Sequence, residues 1–177
     1  MFGNLMMKNR IFHIALIPLF LFACQGRNEN KKSVYKPTRS EMVDVNNYLI
    51  QKDRERIESY IERKGLSMTA TSTGLWYTIL KEGTGNFLKD GDIIGYEYDC
   101  ILLDGTNLYN TQEQIQIGRS ELPIGLYEGL QLLKGGGEAI FILPPFLAYG
   151  LIGDGKKIPP RATLVYTISI LELVQVR

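Results

Sequence analysis

Histidine is almost missing from this chain: His13 is the only one in 177 residues. It falls in an N-terminal stretch that reads as a cleavable signal, so the mature chain is expected to carry no imidazole. That excludes Ser-His-Asp and Cys-His nucleophilic machinery and the usual His-bearing zinc sites. Cysteine is nearly as scarce. Cys24 and Cys100 are the two, and their separation fits no metal-ligand spacing. An excess of one charge is lacking as well. Residues 1–23 hold Lys8 and Arg10 and no acidic residue, so without them 18 basic residues face 19 acidic ones. Such a balance gives no electrostatic footprint for nucleic acid. Gly135-Gly136-Gly137 is not followed by the Lys-Ser/Thr of a phosphate-cradling loop. No motif implies a cofactor or a metal.

The longest apolar run, Ile11 to Phe22, is shorter than the roughly 20 residues a membrane-spanning helix needs. With Lys8 and Arg10 before it, residues 1–23 read as a secretory signal. Leu21-Phe22-Ala23-Cys24 then fits a bacterial lipobox, with Cys24 acylated as the new N-terminus. The alternative is an ordinary signal that happens to end at a cysteine. The position of a small residue and then cysteine at the end of the apolar run favours the lipobox. Two acyl chains anchor far better than one, so the expected location is the cell envelope, lipid-anchored and facing the periplasm. Cys100, in an apolar strand pattern, is expected to be a buried thiol without a disulfide partner.

Residues 24–37 are polar and read as a flexible tether, reaching roughly 20 Å. A helical pattern follows within residues 38–66. Thr38 with Glu41 makes a capping box, and Gly65 a stop. Met42, Val45, Leu49, Ile57, Tyr60 and Ile61 recur at helical intervals, interrupted by the charged stretch 51–56. The broken stripe points to packing on the side of the domain; a partner or self-association surface is the other reading.

Residues 72–177 read as one β-rich domain. Strands are expected over 75–81, 92–103, 138–143 and 163–174, with short candidates at 108–109 and 115–118. One helix is expected over 124–133. With no βαβ alternation, the class is α+β, an antiparallel sheet packed on a short helix. Thr163 to Ile170 largely alternates apolar and polar residues, as a half-buried strand does. Before it, Tyr149 and Ile158 bracket a glycine-rich loop able to lean over the strand carrying Tyr166. The result is an apolar cup with phenol hydroxyls at its rim, and a cup needs no nucleophile.

Several segments in order resemble the FKBP family of peptidyl-prolyl isomerases. They are Gly74-Leu75-Trp76-Tyr77, Gly83-Thr84-Gly85, Tyr96-Glu97-Tyr98, Leu103-Asp104-Gly105-Thr106, Gly125-Leu126-Tyr127-Glu128-Gly129-Leu130, Ala148-Tyr149-Gly150 and Ile158 to Tyr166. The resemblance spans about Thr73 to Val174 and implies a curved antiparallel sheet wrapped around a short helix, preceded here by the N-terminal helix. It implies a proline pocket lined by Tyr98, Leu108, Leu122, Leu126, Tyr149, Ile158 and Tyr166, residues that spacing alone would assign to the core. Leu126 would be the floor. Tyr149 would offer its hydroxyl to a substrate carbonyl, and Glu121 its backbone carbonyl at the rim. Tyr98, Tyr149 and Tyr166 are the catalytic candidates. The implied partners are proline-containing polypeptides.

Four departures from the family pattern point to low or narrow activity. Tyr109 stands beside Leu108 where the family has aspartate, so a pocket carboxylate is expected to be missing. Leu126 replaces a tryptophan floor. Pro123 has no N–H where a ligand carbonyl is commonly received. Lys157 precedes Ile158 in place of an apolar residue. The order of lipobox, tether, helix and FKBP-like domain also looks similar to FKBP-like lipoproteins associated with bacterial gliding motility. A binding or chaperone subunit of an envelope assembly is therefore the alternative to an enzyme.

Overall fold

The computed structural model describes residues 36–174. Residues 1–23 and Cys24 lie outside that range, as does most of the 24–37 stretch. Helix α1 runs Arg39–Lys64. Thr38 accepts from the Glu41 N–H, Glu41 reaches back to the Thr38 N–H (2.7 Å), and Gly65 ends the helix in the left-handed region at φ 62. Then come β1 (Thr69–Ala70), β2 (Trp76–Lys81), β3 (Thr84–Phe87), β4 (Ile93–Leu102), β5 (Asn107–Gln116), α2 (Ile124–Leu130), β6 (Lys134–Gly135), β7 (Glu138–Leu143), a 3₁₀ turn (Pro145–Leu147) and β8 (Leu164–Val174). Six strands form one antiparallel sheet in the order β1-β2-β7-β8-β4-β5, and β3 pairs with β6. Among the described residues no helix is long and apolar enough to cross a membrane.

The side-chain period of two divides the sheet into faces. Phe141, Tyr166 and Ile168 point into the main core with Leu126 and Leu130 of α2. Their neighbours Ile142 and Val165 point to the other face, where Ile57 and Tyr60 of α1 cover them. The second half of α1 therefore packs on the sheet. In its first half Met42 and Val45 remain 52% and 57% exposed, so the apolar stripe divides at the charged stretch.

Some elements differ from expectation. The short candidate at 108–109 and the first half of that at 115–118 belong to one ten-residue strand, β5, while Ile117 and Gly118 lie in the turn after it. Its polar middle, Asn110 to Gln114, pairs residue by residue with β4, Tyr98 opposite Thr111 and Tyr96 opposite Glu113. As the sheet edge, β5 can leave those side chains in water. Helix α2 stops at Leu130 instead of Leu133, because Leu132 and Leu133 donate to the carbonyls three residues back and tighten into a turn. Leu75 precedes its strand; its N–H bonds the Thr71 hydroxyl.

Close approach seats α2. A Cβ on Gly129 would lie 3.0 Å from the Phe141 ring, and Phe141 is fully buried. Gly129→Ala should overpack this contact and cost about 1–3 kcal/mol in urea unfolding, less any gain in helix propensity. An unchanged midpoint would show that Phe141 can give way.

Candidate functional site

Four buried side chains from α2, β5, β8 and the loop after β7 meet in the main core cluster. Leu126 from α2, Leu108 from β5, Ile158 from the loop and Tyr166 from β8 are 2–5% exposed. Tyr98, Tyr109, Leu122 and Tyr149 are half-buried and pack against the same cluster. Glu121 is exposed beside Leu122. The chain thus brings the aromatic and aliphatic candidates together, with a dry floor and a wetter rim. The ring centroids of Tyr98 and Tyr166 lie 5.7 Å apart, and Tyr96 stacks on Tyr98 at 5.4 Å.

Register explains how the tyrosines meet. Cys100 on β4 pairs with Tyr166 on β8 and with Tyr109 on β5. Tyr96, Tyr98 and Cys100 share one face by alternation. Tyr166 faces Cys100 across the β4–β8 pairing, and burial above all holds its phenol far above the ordinary tyrosine range. Burial also pushes the free Cys100 thiol up to about 11. Tyr149 is raised, first by burial and then by the charge of Asp154.

The hydroxyls at the rim have acidic partners. Tyr98 donates to Glu113 Oε1 at 2.9 Å, and Tyr96 to Glu113 Oε2 at 3.4 Å. Tyr109 donates to Asp154 Oδ2 at 2.5 Å, which pushes its own hydroxyl up to about 12. The position beside Leu108 is a tyrosine, as expected, and carboxylates come near it from elsewhere. Tyr109 does replace the aspartate on β5, but Asp154 from the facing loop and Glu113 further along β5 bring carboxylates to the same neighbourhood.

The loop is built around Asp154. Its Oδ1 accepts the N–H of Lys156 and of Ile158, each at 2.8 Å. Burial tends to raise its carboxyl, but the bond from Tyr109 and the loop amides outweigh that and hold it below the ordinary range. Gly153, at φ 72, lies against the Ile158 carbonyl so closely that a Cβ would sit 2.1 Å from that oxygen. The polar stretch 154–157 is thus a folded scaffold that presents Ile158. Lys157 donates to the Leu108 carbonyl at 3.0 Å, with its Nζ 5.0 Å from the centre of the Tyr109 ring, pinning the loop to β5. At the start of α2, Pro123 is the capping residue and supplies no N–H there.

Two features of the site were not read from the sequence. Glu113 sits in the polar stretch between the two short strand candidates, and only the β4–β5 register puts it beside the tyrosines. Arg161, next to Pro159-Pro160, reaches Asp53 of α1 at 2.9 Å.

The pH dependence follows from the phenols. Tyr98, Tyr109, Tyr149 and Tyr166 are all raised above their ordinary value of 10.0. A raised folded value means that the contribution is complete below the unfolded value and fades as pH climbs through the folded one. Stability from this cluster should hold to about pH 10 and fall above it. Phenol absorbance should then titrate together with unfolding; hydroxyls ionising in a still-folded chain would contradict the burial described.

Comparison with known proteins agrees with this architecture. The family model for FKBP-type peptidyl-prolyl cis-trans isomerase matches residues 85–171. The chain belongs to the FKBP family. It is 35% identical over 126 residues to the probable FKBP-type isomerase FkpA of Neisseria meningitidis, covering 68% of this chain and 46% of that protein. It is 34% identical over 125 residues to FkpA of Escherichia coli, covering 69% and 45%. The crystal structure of E. coli FkpA superimposes with a TM-score of 0.61 at 30% identity, covering 76% of this chain and 63% of that one. The chain spans about half the length of these curated relatives. The FKBP-family match begins inside β3, after α1, so α1 lies outside it.

Proposed function

We propose that this FKBP-family chain is a peptidyl-prolyl cis–trans isomerase acting on exported polypeptides, held at the cell envelope by acylated Cys24. The observation that carries the catalytic reading is the cluster of buried Leu126, Leu108, Ile158 and Tyr166 with half-buried Tyr98 and Tyr149 packed against it.

Rotation about a peptide bond faces a barrier of roughly 18–20 kcal/mol, set by partial double-bond character. Only X–Pro bonds populate cis appreciably. The planar amide is more charge-separated than the twisted transition state. An apolar cup therefore disfavours the ground state more than the transition state, which is the differential effect catalysis needs. No protein group has to give up a proton, so a histidine-free site suffices, and the raised phenols stay neutral hydrogen-bond donors. The Tyr149 hydroxyl would hold the substrate carbonyl, the Glu121 carbonyl would meet the chain at the rim, and Leu122 and Tyr109 would flank the ring.

Tyr149→Phe should lower kcat/KM about tenfold, the value of one lost hydrogen bond near 1.4 kcal/mol, with little change in unfolding midpoint. Equal activity would remove this role for the hydroxyl. Palmitate labelling of the full chain, lost in Cys24→Ser, tests the anchor; label retained in that variant contradicts it.

The second reading is a weakly active binding or chaperone subunit of an envelope assembly such as a gliding apparatus. Pro123 favours it, because the α2 entrance lacks an N–H to fix a substrate carbonyl. The exposed Met42 and Val45 of α1 would then serve partner binding or self-association. Binding of proline-containing unfolded chains without acceleration of isomerisation would select this reading.

A further inference from the structure

Glu113 has a different environment from the other charges around the hollow. Its carboxylate accepts from Tyr98 and Tyr96, and its side chain is exposed on the edge strand. Among the described residues no Lys or Arg lies within ion-pair distance of it. Asp154 contrasts with it. That carboxylate is tied up by Tyr109 and two loop amides, and Lys157 lies over the same Tyr109 ring. Among the described residues Glu113 therefore keeps a negative charge without a counter-charge on the β5 side of the site, as exposed Glu121 does beside Leu122.

The same carboxylate acts on the group proposed to hold substrate. Glu113 is bonded to Tyr98 at 2.9 Å, and Tyr98 and Tyr149 pack on the same cluster; burial chiefly raises the Tyr149 hydroxyl, with Asp154 and, least, Glu113 adding to it. A chain whose carbonyl sits on Tyr149 carries its residues flanking the proline past Glu113. Glu113 is also fixed in place: two phenols hold its two oxygens, and residues 109–116 of its strand pair with β4 without a break.

We propose that Glu113 is a specificity-determining residue that makes the site favour prolines flanked by lysine or arginine and reject those flanked by aspartate or glutamate. This rests on the isomerase reading for its substrate class, but the charge selection itself is a property of binding. Attraction of one sign and repulsion of the other both widen the discrimination. Because the carboxylate is exposed, salt should screen the effect.

The test uses the full-length chain and short peptides with Lys, Leu or Glu placed before or after a single proline. Binding is followed by NMR titration and isomerisation by exchange spectroscopy. At low salt the Lys peptide should exceed the Glu peptide by about fivefold or more in affinity and kcat/KM at one flanking position. The ratio should shrink toward one at high salt and in Glu113→Gln, and invert in Glu113→Lys. A ratio near one in the wild type, or one unchanged in Glu113→Gln, overturns the proposal. Charge-ranked binding without acceleration would sink the isomerase reading and leave this one standing. Strong but charge-blind acceleration would do the reverse.

Discussion

Tyr166→Ala is expected to abolish isomerase activity and to lower stability by about 3–5 kcal/mol, the range for removing a large buried aromatic. Tyr166 is 3% exposed, and its ring meets Tyr98 on one side of the hollow. Tyr166 also pairs with Cys100 across β4 and β8, so truncation opens space beside a fully buried neighbour. The site loses its back wall and the sheet loses a core residue together. Tyr166→Phe separates the two roles. It keeps the ring and drops only the hydroxyl, at about 1 kcal/mol, and should retain most activity. Measurement of denaturant midpoints and prolyl exchange rates on both variants checks this. A stable, active alanine variant would show that Tyr166 is not part of the wall.

The second large effect lies outside the pocket. Arg161→Ala is expected to cost roughly 2–3 kcal/mol, below the value for a fully buried pair because the arginine is partly in water. The Asp53 side chain is 6% exposed and the Arg161 side chain 33%. Removing the guanidinium strands a buried carboxylate. Arg161 also has a positive φ of 57, the only non-glycine among the described residues to do so, and its N–H bonds the Gly150 carbonyl next to Tyr149. Arg161→Gly loses the ion pair but relieves a backbone cost of roughly 1–2 kcal/mol. Glycine should therefore be better tolerated than alanine. Equal stability of wild type and the alanine variant would mean that the α1 contact contributes nothing.

How far the sequence disclosed this molecule depended on which signals were local. Thr38 with Glu41 and Gly65 marks the ends of α1 because capping is settled by three or four neighbouring residues. The alternation in β8 identifies a strand with one face inward for the same reason. The site candidates on α2, β8 and the Tyr149 loop could be placed because their segments carry the family pattern. The polar middle of β5 could not be placed. Asn110 to Gln114 has the composition of a loop, and it is a strand only because β4 supplies hydrogen-bond partners. Once the pairing of Cys100 with Tyr109 is known, the two-residue period puts Glu113 beside Tyr96. The bond between Asp154 and Tyr109 was hidden for a like reason. It joins residues 45 apart in the chain, and no local pattern reports such a meeting. The packing of α1 was half legible: the broken stripe is real, but which half touches the sheet is decided by Ile142 and Val165 on the facing strands.

The most direct test of the account is magnetisation-exchange NMR on a peptide with one X–Pro bond, with and without catalytic amounts of the full-length protein. Cis and trans signals should exchange far faster than the tens to hundreds of seconds of the uncatalysed reaction, and chemical-shift changes should map to Tyr98, Leu126 and Tyr149. Exchange at the uncatalysed rate, with the peptide bound at those residues, would contradict the claim that this hollow eases rotation about the prolyl bond.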